Sequence, residues 1–175
     1  MFLIPGKLIA ILTFPGVIVH EFAHMLFCRL RGVAVYDACY FQVDDTSGYV
    51  IHEASDNFQT TFLISMGPFL VNSLLCILIA FPAYIPLSFF ERPDPVSAFA
   101  LWLSVSIGMH AIPSNQDARN VFDEARIHAR RRNPLAIISF PLVLAVYIFN
   151  LLRFFWFDFL YAITIASGVP SLFFA

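Results

Sequence analysis

From Ile4 to Leu30 the chain is almost wholly apolar, yet inside that run the stretch Val19-His20-Glu21-Phe22-Ala23-His24-Met25 places three ionisable residues within five positions. An apolar run of this length spans a bilayer as a tilted helix. Each ionisable group held there costs on the order of 3 kcal/mol on insertion scales, so the helix needs a compensating partner. In a helix His20 and His24 lie on one face. That spacing lets two imidazoles reach one metal ion, with Glu21 beside them as general base for the water the ion activates. A bound dication supplies the compensation, and the pattern predicts one Zn²⁺ per chain with His20 and His24 as ligands.

The rest of the composition agrees with a membrane setting. Of 175 residues 59% are apolar, 21 are Phe and only 13% are charged, and the mean hydropathy is +0.78. These values describe a single integral membrane domain over residues 1–175, with the lipid bilayer as its first partner. The sequence carries no footprint of nucleic-acid binding, and nothing in it fixes an oligomeric state. Cys28, Cys39 and Cys76 form no CxxC pair and read as small buried or interfacial residues. The amino-terminal run, charged only at Lys7, exceeds signal-peptide length and contains the His-Glu-His group, so it reads as a retained helix.

Apolar segments are expected at about 4–30, 58–81, 96–112 and 134–152, giving an all-α bundle of about four transmembrane helices, or five as the alternative. Pro15-Gly16 predicts a kink in the first, Asp56-Asn57 a cap for the second and Pro82 its stop. Residues 33–52 predict a small membrane-associated β-hairpin, extended through Val43, turning at Asp44-Asp45-Thr46-Ser47-Gly48 and returning along Tyr49-Val50-Ile51-His52. Residues 117–132 read as a charged helical stretch ending in Arg130-Arg131-Arg132, an anchor for topology and anionic lipid. The apolar tail 153–175 is expected to pack without a further hairpin turn, because neither Gly nor Pro stands near Arg153.

With four spans, Arg29, Arg31, Arg119, Arg126 and Arg130 to Arg132 fall on one side, and Lys7 and Arg92 on the other. The positive-inside rule then puts the N-terminus outside the cytoplasm and the His20–His24 pair toward the cytoplasmic side. A catalytic zinc also needs a third protein ligand. Asp117 is favoured because it follows the third segment at the same depth and side; His110 is the alternative, and His52, Asp123 and Glu124 are weaker candidates. Asn72 is a candidate for hydrogen-bonding a substrate or its developing oxyanion, or for an interhelical hydrogen bond. Gly67 and Pro68 are expected to serve helix approach or a kink rather than chemistry.

HEFAH in a first membrane helix, a β-rich segment, Gly67-Pro68 with a nearby Asn72, and Pro113 followed by Asp117 together resemble the site-2 protease family of intramembrane zinc metalloproteases. Ala118 follows Asp117 where that family usually has Gly, and one extra residue separates Gly67-Pro68 from Asn72. The resemblance covers the first three segments and implies that Asp117 is the third zinc ligand. It implies an endopeptidase acting on transmembrane proteins, which the hairpin would receive as an added strand or simply cap. Two other readings fit the same residues: a membrane metal-binding or transport protein, and an inactive protease-like chaperone.

Overall fold

The computed structural model describes residues 6–43, 46–92 and 94–174 and is mostly helical. Helices α1 (Gly6–Leu12) and α2 (Phe14–Leu30) meet at 87°. The expected kink is therefore a sharp break, and it falls at Thr13 rather than at Pro15-Gly16. Pro15 has no N–H and its ring would strike the carbonyl four residues back, so it sits in the first turn of a new helix, where the N–H is not needed. Side chains satisfy the groups that the break exposes. Thr13 Oγ1 donates to the Ile9 carbonyl (2.7 Å) and accepts from His110 Nε2 (2.8 Å), and Trp102 Nε1 donates to the Leu12 carbonyl (3.2 Å).

Strands β1 (Val35–Cys39) and β2 (Tyr49–His52) pair antiparallel, with Cys39 opposite Tyr49 and an irregularity between Val35 and Asp37. The hairpin is as expected, but its first strand ends at Cys39 and does not reach Val43. Of the expected turn, Asp44 and Asp45 lie outside the described residues; on either side of them Gln42 N–H donates to the Ser47 carbonyl (2.8 Å). Tyr49 donates its hydroxyl to Asp37 (2.9 Å), and that bond, with the nearby carboxylate charge, holds the phenol above its usual pKa.

Helix α3 (Phe58–Tyr84) starts behind Asn57, whose side chain accepts from the N–H groups of Gln59 and Thr60. Pro82 does not stop it. The helix passes through that residue and widens into a π-helical turn at Ile85–Phe89, the kind of local adjustment by which apolar helices absorb an internal proline. Asp94 caps α4 (Pro95–Met109), and hydrogen bonds from Ser97 hold its carboxyl below the usual range. At 15 residues, α4 is about 22 Å long, shorter than a hydrocarbon core. It ends at Met109, four residues before Pro113, where the proline ring forbids a further turn. Then come α5 (Asn115–Arg130) and α6 (Pro134–Leu152), the latter capped by Asn133. Val121 and Ala125 of α5 pack with Phe58 and Met66 of α3 and Val143 of α6 in one buried cluster.

Beyond α6 the chain bends. After a 3₁₀ turn at Arg153–Phe155, Trp156 takes the left-handed conformation (φ 62°) without being Gly or Asn, and Arg153 pairs with Asp158 at 2.9 Å across the bend. Helices α7 (Phe157–Ile163) and α8 (Val169–Phe174), joined by a π-helical turn, then form one apolar segment of 18 residues. The tail bends at Trp156 but makes no hairpin with α6: α6 ends beside Ile112 and Pro113, and α7 goes on in the same direction along α4. The left-handed non-glycine residue costs only about 1–2 kcal/mol, which an ion pair and packing offset. The segment packs on α3 and α4, with Ala162 against Gly108 and the hydroxyls of Ser73 and Tyr161 2.7 Å apart.

Among the described residues three helices are long and apolar enough to cross a membrane, Phe58–Leu87, Pro134–Phe155 and Phe157–Phe174, and the bent pair α1–α2 makes a fourth if it counts as one span. Their outer faces leave Leu74, Leu78, Leu144 and Leu151 exposed, as lipid contact requires. Where α2 crosses α4, Gly16 leaves no room for a side chain: a Cβ there would overlap the Ser106 carbonyl and lie 2.6 Å from His110 Cδ2. Gly67 meets the Phe27 ring in the same way, so its role is helix approach, as expected. Gly16→Ala should therefore lower thermal stability in detergent by about 1–3 kcal/mol through overpacking. Gly6→Ala, with nothing within 4 Å, should leave the unfolding midpoint where it is.

Candidate metal centre

The one-face spacing of His20 and His24 holds in α2, where the imidazoles stand 4.9 Å apart between centroids. Each ring is fixed from behind. His20 Nδ1 donates to the His110 carbonyl (2.6 Å) and His24 Nδ1 to the Ile64 carbonyl (2.9 Å). Because a carbonyl only accepts, both Nδ1 atoms carry a proton, which leaves Nε2 as the atom each ring can offer to a metal. Those two Nε2 atoms face each other at 3.2 Å.

Asp117 arrives from α5. Ser114, the N-cap of that helix, accepts from Asp117 N–H, while its own N–H (2.9 Å) and Oγ (2.6 Å) donate to Asp117 Oδ2. This capping box occupies one carboxylate oxygen and turns the other toward the histidines. Asp117 Oδ1 lies 3.6 Å from His24 Nε2, with the two side chains 13% and 10% exposed. One donor atom from each of His20, His24 and Asp117 thus falls within 4.8 Å of the others, so the group is able to hold a metal ion. Two imidazole lone pairs and a carboxylate oxygen aimed at one point repel one another unless a cation lies between them. The N, N, O donor set has its outer bonds already made, the arrangement that orients ligands toward a divalent metal ion.

Glu21 points away from the helix interior toward a cavity of about 800 Å³ that it shares with His20, His110, Ser114, Arg153 and Asp158. It is 9% exposed, because the hairpin loop lies over it. A Cβ on Gly48 would come 2.7 Å from Glu21 Cγ and 3.1 Å from the Cys39 and Tyr40 carbonyls, so the loop closes on Glu21 only through a glycine. The hairpin is thus a wall of the site.

The alternative third ligand fails on geometry. The His110 ring turns to Thr13 at the α1–α2 break, and it is the backbone carbonyl of His110 that serves the site, by holding His20. Asn72 is also not in the cavity wall. It is fully buried behind the site, where Nδ2 donates to the carbonyls of Gly16 (3.2 Å), Ile107 (3.1 Å) and His110 (3.3 Å), and Oδ1 is left without a partner. The interhelical role fits this placement and direct contact with a substrate does not. His52 bonds its neighbour Glu53 on β2, Glu124 faces His128 along α5, and Asp123 is exposed there. Ser114 is a site residue that the sequence reading passed over, although Ser-x-x-Asp before an apolar periodicity is itself a capping-box signal.

The chain matches no protein-family model, no curated protein and no solved structure. The centre is therefore argued from its own geometry. Asp117→Ala should remove most bound metal, measured by elemental analysis of the purified chain, whereas His110→Ala should keep it at near wild-type occupancy. Ser114→Ala, which frees the carboxylate to rotate, should weaken the metal by about 10–100-fold in a chelator competition.

Proposed function

We propose that this chain is an intramembrane zinc endopeptidase of the site-2 protease type, cleaving peptide bonds in or near the transmembrane segments of other membrane proteins. The observation that carries this reading is the convergence of His20, His24 and Asp117 beside Glu21, at a cavity inside a bundle of apolar helices. A zinc ion held by those three residues would polarise the scissile carbonyl and make a water nucleophilic near neutral pH. Glu21 takes a proton from the attacking water as its oxygen bonds the carbonyl carbon, and returns it to the amine as the C–N bond breaks. The hairpin wall at Gly48 keeps Glu21 out of bulk solvent, and Ser114 and the carbonyls of His110 and Ile64 keep the ligands aligned.

A substrate helix must unwind to reach this site, and an extended segment satisfies its backbone by adding to the exposed edge of the hairpin. We assign four spans, with α1–α2 as the first, α3 as the second, α4 as a short third and α6 with the tail that continues it as the fourth. By the positive-inside rule the Arg-rich end of α5 is cytoplasmic, the N-terminus is on the opposite side and cleavage lies toward the cytoplasm.

The test is cleavage of a fluorogenic transmembrane peptide by the detergent-purified chain. Glu21→Gln should keep its zinc and lose about 10²–10⁴-fold in kcat, the usual contribution of a positioned general base. Metal binding with no cleavage in wild type would favour the transport or chaperone reading, and equal cleavage by Glu21→Gln would refute the protease.

A further inference from the structure

The resemblance to site-2 proteases says nothing about the chain after α5, yet the end of α6 reaches into the metal centre's support. Residues 110–113, between α4 and α5, are irregular, and Pro113 prevents them from forming a helix. Their carbonyls are taken by side chains from elsewhere. Arg153 Nη2 donates to the Ile112 carbonyl (3.0 Å) and Asn150 Nδ2 to the Pro113 carbonyl (3.1 Å). The next residue is Ser114, whose N–H and hydroxyl hold Asp117 Oδ2. Arg153 is in turn fixed through Nε by Asp158 Oδ2 at 2.9 Å.

We propose that Arg153, steadied by Asp158 and assisted by Asn150, is a positioning residue for the third metal ligand, so that the turn between α6 and α7 sets the geometry of Asp117. This inference rests on the zinc reading above. The guanidinium suits the task because its N–H groups lie in a fixed plane: one edge meets the carboxylate while another reaches the carbonyl, a fit that a single ammonium does not reproduce. Neither Arg153 nor Asn150 belongs to the donor set. Their effect passes through two backbone carbonyls and the Ser114 cap, without contact to the ion.

The experiment uses the full chain in detergent and reads metal rather than turnover. Zinc affinity is measured by chelator competition, and Co²⁺ is substituted to record its visible absorption, which reports ligand number and type. Arg153→Ala should bind zinc about 10–100-fold more weakly, the usual cost of removing an outer-shell partner. Its cobalt bands should move toward those of Asp117→Ala, not those of His20→Ala. Asp158→Asn and Arg153→Lys should fall between wild type and Arg153→Ala. If Arg153→Ala loses its helical circular dichroism, these two milder variants carry the test, and wild-type affinity and spectra in both would overturn the inference. A folded Arg153→Ala with wild-type affinity and cobalt bands would overturn it directly and leave the zinc site standing. A wild-type chain that binds neither ion would remove the site and the inference together.

Discussion

A backbone carbonyl inside an apolar bundle must find a donor, and the end of α4 with its connection to α5 gathers several in one place. The carbonyls of Ile107 and His110 accept from Asn72 of α3, that of His110 also from His20 of α2, that of Ile112 from Arg153, and that of Pro113 from Asn150 of α6. Leaving such a group unpaired costs about 1–3 kcal/mol. Donors from three helices and the turn after α6 therefore meet on the last turn of α4 and the short irregular segment behind it, which fixes where those elements lie around it. The cause is local and cheap: Pro113 ends α4 a turn early, and the carbonyls it frees become attachment points.

The same bonds prepare the metal donors. His20 gives its Nδ1 proton to a carbonyl of this segment, so its Nε2 lone pair faces His24. Asp117 follows the segment by one capping box, with one oxygen bound by Ser114 and the other free for the histidines. Structural hydrogen bonding and ligand orientation are thus one network. Close approach without side chains completes the site, since Gly16 brings α2 against α4 and Gly48 brings the hairpin loop over Glu21.

Much of this was legible in the residues. Asn57 and Pro134 mark helix starts, and the hairpin pairs antiparallel as predicted, with a shorter first strand. Where the reading failed, the cause is plain. Pro82 was expected to stop α3, but that rule weighs local backbone preference alone, and a π-helical turn absorbs the proline. Near Arg153 the chain bends through a left-handed Trp156 and an Arg153–Asp158 ion pair without the Gly or Pro that marks a hairpin. Asn72 was ambiguous for the same reason: an amide's role depends on what faces it, and here three carbonyls do.

By itself the sequence determined the apolar helices and the helical spacing that puts His20 and His24 on one face, and it favoured Asp117 over His110 as a third donor at the end of a third segment. These follow from periodicity, proline chemistry and the cost of burying charge, all of which act along the chain. Only the tertiary structure decided that His110 serves through its carbonyl and not its ring, that Asn72 braces the site from behind, and that Arg153 reaches the approach to Asp117. Those roles depend on which groups face each other across 35 to 90 residues of chain, and no local preference encodes them.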